Sequence, residues 1–316
     1  MKKLLHVVPG FGNTNNAIFD YALILRECFK TKSLDTILQC KSFPDAYIIS
    51  YVNAGYSLSE HLNNIFRLIR YRKRNIKGLV FFHEAFAARG RFYQKSFWYS
   101  PVERFIFKAY VRNASAIFCS CDPILKHIQD CLTKEVPLQI APIPSNIFFG
   151  AIQEWSGRKS ILVVFGTQGR RAAALNRKPE LAKLLTHLGI TEVWDIGVGE
   201  TDYTWLPTSI QLKRTGYLTR VEIAKIIASA KYGLIDYPGY LLDKSGIFAA
   251  YAAAGLCVIN TDESFLLAKR LYFTLSEMLD SADMGIEIRV KDLNSYYTKE
   301  RSAEAHAEKL LAVLTK

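Results

Sequence analysis

YPGYLLDKSGIFAAYAAAGLCVINTDE, from Tyr237 to Glu263, holds a turn, a helix start, a helix and a strand in one short stretch. Pro238 and Gly239 interrupt regular structure. Lys244-Ser245-Gly246 then stands where a helix should begin, and Leu256 to Asn260 reads as an apolar strand. A helix start carries backbone N–H groups without helical acceptors and a partial positive charge, which suits phosphate oxygens. Lys244 adds a full charge, and Ser245 adds a hydroxyl and an N-cap. Ala249, Ala250, Ala252, Ala253 and Ala254 give a slim helix that can pack close to a sheet. The same residues also fit a capped helix with a solvated lysine, so the stretch alone leaves both readings open.

Outward from it, short apolar strands alternate with helices in both directions. Upstream in the same half, strands are expected at Ile161–Phe165, Glu192–Ile196, Ile210–Lys213 and Tyr232–Ile235. Helices should fill Pro179–Leu188, Arg220–Ala230, Ser245–Ala254 and about Ser264–Leu279, with a final amphipathic helix at Ser302–Leu314. In the first half, strands are expected at Leu4–Val8, Thr36–Gln39, Tyr47–Tyr51, Leu79–Phe82 and Ala116–Cys119. Helices there should cover Asn16–Lys30, Ser57–Tyr71, Pro101–Arg112 with Pro101 near the first turn, and a segment to Cys131 that Asp122 caps. Fully apolar strands separated by helices imply parallel sheets covered on both faces. APIPSNIFFG, residues 141–150, reads as a linker, after which the alternation restarts. Two such units follow, each binding ligands beyond the carboxyl ends of its strands.

No apolar run approaches the roughly 18 residues of a membrane span. MKKLLHVVPG reaches Pro9-Gly10 after a short apolar stretch, too short for an export signal, and is expected to be a buried strand of a cytoplasmic protein. The six cysteines, Cys28, Cys40, Cys119, Cys121, Cys131 and Cys257, lack zinc-ligand spacing and read as small buried hydrophobes. Charge is divided unevenly. Residues 1–150 hold 20 Lys and Arg against 10 Asp and Glu, and residues 151–316 hold 21 against 19.

Candidate groups follow strands. Gly166-Thr167-Gln168-Gly169-Arg170-Arg171 reads as a flexible loop whose guanidinium forks could clamp a diphosphate, or as a solvated turn. Gly197-Val198-Gly199 would let backbone approach a ligand. Gly10-Phe11-Gly12-Asn13 follows the first strand without dinucleotide-fingerprint spacing, and a plain turn fits it equally. His83-Glu84 ends a buried strand, so His83 could accept a proton near neutral pH while Glu84 acts as base or orients it. Asp20 is a second choice. No carboxylate pair at metal-ligand spacing stands near the phosphate candidate, so no metal is expected.

Ala252-Ala253-Ala254-Gly255-Leu256-Cys257-Val258-Ile259, with Lys244-Ser245-Gly246 before it, resembles the donor-site segment of GT-B glycosyltransferases, specifically the bacterial, nucleotide-sugar-dependent group 1-like branch. The resemblance covers nearly the whole chain, with only this segment specific. It implies an α/β GT-B fold: two Rossmann-like domains whose parallel sheets face a central cleft. The acceptor-side domain would be residues 1–145, the nucleotide-sugar domain residues 146–300, and a C-terminal helix residues 301–316. It further implies that Lys244, Ser245 and Gly246 bind the donor diphosphate, that Tyr217 lies where the nucleobase is cradled, and that Gly10, Gly12 and Asn13 face the donor. The retaining branch has two glutamates here; this chain has Asp243 at the first place and, eight residues on, Tyr251. The implied activity is sugar transfer from a nucleoside diphosphate sugar, with no cofactor, to an unidentified acceptor. Rival readings are a sugar-nucleotide epimerase of the same fold and a silent binding or scaffold subunit.

Residues 67–112 carry 12 basic and 2 acidic side chains, and Phe92, Tyr93, Phe97, Trp98 and Tyr99 lie among them. Such a segment fits an anionic membrane surface, and with it a lipid-linked acceptor or cell-surface glycan precursor at the inner membrane face, and it fits equally a core of aromatics with only the cations exposed. It lacks any nucleic-acid-binding signature.

Overall fold

In the computed structural model, which describes residues 2–9, 17–32, 34–37, 43–53, 55–86, 95–264, 271–280 and 285–314, the apolar runs become parallel strands buried on both faces. All six residues of the strand Ala46–Tyr51 are buried, as are five of the six in Lys77–Phe82. The chain divides into two compact units, Met1–Pro142 with Ala303–Lys316, and Ile143–Ser302.

The first unit runs β1 (Lys2–Val7), α1 (Ala17–Lys30), β2 (Leu34–Ile37), β3 (Ala46–Tyr51), α2 (Leu58–Lys73), β4 (Lys77–Phe82), α3 (Lys95–Asn113), β5 (Ile117–Cys119), α4 (Asp122–Gln129) and β6 (Leu138–Ile140). Its parallel strands lie in the order β2-β1-β3-β4-β5-β6. The second unit has β7 (Lys159–Phe165), α5 (Gln168–Ala174), α6 (Lys178–His187), β8 (Glu192–Ile196), β9 (Gln211–Gly216), α7 (Arg220–Ser229), β10 (Ala230–Ile235), α8 (Gly246–Ala253), β11 (Cys257–Asn260), β12 (Phe273–Thr274), α9 (Leu275–Asp280) and α10 (Ile286–Tyr296). Its parallel order is β12-β11-β10-β7-β8-β9. The last helix, α11 (Ala303–Leu314), returns to the first unit, where it packs on α1 and β4.

Strand alternation builds the second unit's two core layers. Leu162 and Val164 of β7 pack with Leu181, Leu184 and Leu185 of α6. Ile161 and Val163 point the other way, to Ile223 and Ile227 of α7 and Ala250 and Ala252 of α8. Helix α8 is buried nearly all round, which its alanines permit. Capping boxes start α2 (Ser57 with Glu60) and α7 (Thr219 with Glu222), each readable from a Ser/Thr-x-x-Glu spacing.

Four local expectations need correction. Helix α3 starts at Lys95, so Pro101 lies inside it and removes one backbone hydrogen bond from a 19-residue helix. The N-cap of α4 is Cys121, and Asp122 is its first residue, where the carboxylate still meets the positive helix end. Ser264–Leu279 is not one helix: β12 pairs with β11 within it, and only Leu275–Asp280 is helical among the described residues there. Of the expected loop 166–171, residues 168–171 open the helix α5. Cys119, Cys121, Cys131 and Cys257 are buried free thiols, Cys28 is half-buried, and Cys40 lies outside the described residues.

A polar cluster sits in the first unit's core. His6 Nε2 is 3.0 Å from Ser50 Oγ, Tyr21 Oη is 2.6 Å from His306 Nε2, and His306 Nδ1 is 2.9 Å from the Pro142 carbonyl. Burial first, and the charge of His306 second, lower the His6 imidazole from 6.5 to about 3. The unfolded chain therefore binds a proton at His6 that the folded one refuses, so this contribution is present above pH 6.5 and is lost as pH falls towards 3. Thermal unfolding followed from pH 7 down to pH 4 should show the midpoint dropping, and His6→Phe should flatten the drop. An equally steep drop in His6→Phe would assign the titration elsewhere.

Candidate functional site

In the second unit the chain enters its sheet at β7, steps outward to β8 and β9, then returns to lay β10 on the other side of β7. The strand order reverses between β7 and β10, and in such sheets the carboxyl ends at the reversal leave a crevice. Here it is a small recess lined by Phe165, Arg170, Arg171, Asp236, Tyr237, Ser245 and Ile247 among others.

Ser245 caps α8, its Oγ accepting the Phe248 N–H at 3.2 Å. The first amides of the helix, at Gly246 and Ile247, have no i−4 helical acceptor. A Cβ built on Gly246 would meet no atom within 4 Å, so there is room beside the first helical residue. Lys244 ends the 3-10 turn Gly239–Lys244 just before it and is half-exposed. Beside them, Asn260 holds the segment after β10: its Nδ2 donates to the Tyr237 carbonyl at 2.8 Å and its Oδ1 accepts the Tyr237 N–H at 3.1 Å. Asp236 stays at the recess and accepts from Thr261 Oγ1 at 3.0 Å.

The two neighbouring arginines separate. Arg170 is exposed, with its guanidinium 4.7 Å from the Tyr237 ring centre. Arg171 is buried and ion-paired with the buried Asp195, and it donates to the carbonyls of Gly166, Val198 and Gly199 at 3.1, 2.6 and 2.8 Å. Its fork is spent inside the protein, so of the two arginines only Arg170 presents its guanidinium to solvent. The glycines of the β8 loop serve the same packing. Gly197 has φ +145°, and a Cβ there would lie 2.2 Å from the Gly166 carbonyl oxygen. Backbone meets backbone at this point, and the Gly199 carbonyl receives Arg171.

Asp243 is likewise engaged. Its carboxylate accepts from Tyr296 Oη at 2.9 Å and lies 3.5 Å from Arg301 Nη1. Arg301 is fully buried; its Nε donates to the Ile143 carbonyl at 2.7 Å, and its Nη2 donates to the carbonyls of Leu242, Asp243 and Ser245 at 3.1, 3.1 and 2.8 Å. One guanidinium thus shapes the turn that presents Lys244 and Ser245. Sequence reading missed it, because Arg301 sits beside a helix start and its partners lie 56 to 158 residues away. Tyr251 is a core residue whose hydroxyl donates to the Val163 carbonyl at 3.0 Å.

Tyr217 follows Gly216 at the end of β9 and is 78% exposed, its ring open to stacking. In the first unit His83 and Glu84 follow β4, with His83 buried, its Nε2 3.3 Å from Ser50 Oγ and its ring edge-on to Tyr21. Glu84 and Asp20 are half-buried. Gly10, Gly12 and Asn13 lie outside the described residues. Among the described residues no three His, Cys, Asp or Glu side chains gather to hold a metal ion.

No protein-family model and no curated protein matches the sequence. Solved structures do match. An alpha-glucosyltransferase in complex with UDP and a 13-mer DNA is 12% identical with a TM-score of 0.59, and the match covers 100% of both chains. UDP-GlcNAc 2-epimerase from Neisseria meningitidis, bound to UDP-GlcNAc, is 9% identical with a TM-score of 0.57 over 99% of both chains. The alpha,alpha-trehalose 6-phosphate synthase from Burkholderia multivorans is 12% identical with a TM-score of 0.54, covering 94% of this chain and 74% of that one. At such identities the likeness concerns the fold: two α/β units with parallel sheets, the second reversing its strand order at the recess, give this chain the GT-B fold.

Proposed function

We propose that this chain is a glycosyltransferase whose second unit binds a nucleoside diphosphate sugar. The observation that carries the reading is the open, Ser245-capped start of α8 at the strand-order reversal, with Lys244 before it and Arg170 on the recess. Helix amides, an ammonium and a guanidinium together meet the charge that builds on a departing diphosphate. In this reading they do so without a divalent cation. Asp236 accepts hydrogen bonds from sugar hydroxyls, and Tyr217 stacks on the nucleobase. Two of the structural neighbours hold UDP or UDP-GlcNAc, which makes uridine donors the first to try. On the first unit, His83 and Glu84 are assigned to the acceptor's hydroxyl proton. The acceptor itself we take to be a lipid-linked glycan precursor of cell-surface polysaccharide, reached from the cytoplasmic side.

The test is calorimetric titration with UDP, GDP and CMP, followed by nucleotide release from the corresponding sugars. Lys244→Ala should weaken diphosphate binding by about 2 to 5 kcal/mol if the charge pair is desolvated. His83→Ala should lower turnover while leaving that binding intact. Unchanged affinity in Lys244→Ala removes the lysine from the site, and turnover within about twofold, or about 0.4 kcal/mol, makes His83 structural. Interconversion of sugar-nucleotide epimers without acceptor would replace transfer by epimerisation, and binding without any turnover would leave a scaffold.

A further inference from the structure

Helices α2 and α3 lie on one face of the first sheet. Each carries a crossover from one strand to the next in the same direction, β3 to β4 and β4 to β5, and right-handed crossovers in one direction place their helices on one side. The two helices pack together, so their outer faces adjoin. On α2 the inner positions His61, Asn64, Ile65, Leu68 and Tyr71 are buried. Leu58, Leu62 and Phe66, spaced by four, instead form a stripe to solvent, 55%, 40% and 67% exposed. On α3, Val102 and Phe105 are exposed in the same way, Phe105 by 67%. Single exposed apolar residues are ordinary, but five on two adjoining helix faces form a patch that needs a reason.

The charges around this patch are mainly positive. Arg67, Arg70, Arg72 and Lys73 of α2 and Arg104, Lys108 and Arg112 of α3 are exposed. The acidic residues of the two helices are Glu60 and Glu103, and Glu60 is bound to Ser57 in the capping box. Apolar side chains set among cations match the lipid interface, where the apolar groups enter the acyl boundary and the cations meet anionic headgroups. Among the described residues no helix is long and apolar enough to cross a membrane, so the contact would be peripheral.

We infer that the outer face of α2 and α3 docks this protein on an anionic lipid surface, with Leu58, Phe66 and Phe105 as the inserting residues and the arginines and lysines beside them as the electrostatic contact. The inference serves the lipid-linked acceptor proposed above, but docking is read without turnover, so either can fail alone.

The test is co-sedimentation of the full chain with phosphatidylcholine vesicles and with vesicles containing phosphatidylglycerol. Binding is expected on the anionic vesicles and should fall about tenfold or more as salt rises from about 0.01 to 1 M, which shortens the screening length from about 30 to 3 Å. The triple variant Leu58→Ser, Phe66→Ser, Phe105→Ser should lose the salt-resistant remainder, and Arg67→Ser with Arg104→Ser should lose the preference for anionic lipid. All five positions are exposed, so the unfolding midpoint should hold, and affinity for UDP should be that of the parent. Equal partition onto both vesicles, no partition at low salt, or a triple variant that binds like the parent would overturn the assignment.

Discussion

Replacing Arg171 with methionine lowers the stability of the second unit by about 3 to 5 kcal/mol, the usual cost of removing one partner from a buried ion pair. Asp195 would be left with its charge in the interior, 2% exposed, and three carbonyls after β7 and β8 would lose a donor. Against a total stability of about 5 to 15 kcal/mol such a loss is severe. Urea unfolding of the parent and variant reads it directly. Arg171→Met with Asp195→Leu should recover part of the loss, because an apolar pair leaves no stranded charge. The outcome that would reinstate Arg171 as a phosphate ligand is the reverse pattern: stability changed by less than about 1 kcal/mol, within the range of surface substitutions and small pairs, and diphosphate affinity lost.

Arg301→Met is expected to act on both stability and binding. The guanidinium is fully buried and organises the Leu242, Asp243 and Ser245 carbonyls. Its removal should cost about 3 kcal/mol, since the Ile143, Leu242, Asp243 and Ser245 carbonyls lose a charged donor together, while the part-exposed Asp243 carboxylate keeps its bond from Tyr296. Because those carbonyls fix the turn before α8, affinity for a nucleoside diphosphate should fall about tenfold or more, equivalent to about 1.4 kcal/mol. Arg301→Lys keeps the charge but presents a point donor in place of a planar fork, so it should recover only part of either loss. Calorimetry well below the unfolding midpoint separates the two effects. Unchanged affinity in a folded Arg301→Met would mean that the turn holds its shape without the guanidinium. A purely structural arginine would move the midpoint alone.

These two residues mark where local reading stops. Arg170 and Arg171 are neighbours of one type after one strand, yet one is exposed over Tyr237 and the other is sealed against Asp195. Which arginine faces solvent is set by the helical turn of α5, which the glycines there disguised as loop. Asp243 read as a donor-side acid because the family has an acid at that place, and its carboxylate is held by Tyr296, 53 residues on.

What the sequence determined by itself is whatever closes within a few residues. The β3 and β4 runs are buried strands because every residue in them except the exposed Lys77 is apolar, aromatic or small. Ser57 and Glu60, Thr219 and Glu222, and Ser245 before the alanines set helix starts through hydrogen bonds spanning three residues. Alternation of such elements then favours parallel sheets covered by helices, and a helix start after β10 puts an anion-suited end at the carboxyl end of the sheet. The tertiary structure alone decided which polar groups are exposed and which are spent. Arg301 reaches Ile143 across 158 residues, and Tyr251 reaches Val163 across 88. A buried polar group must find a partner, but strand order chooses the partner, and strand order is written in no single segment.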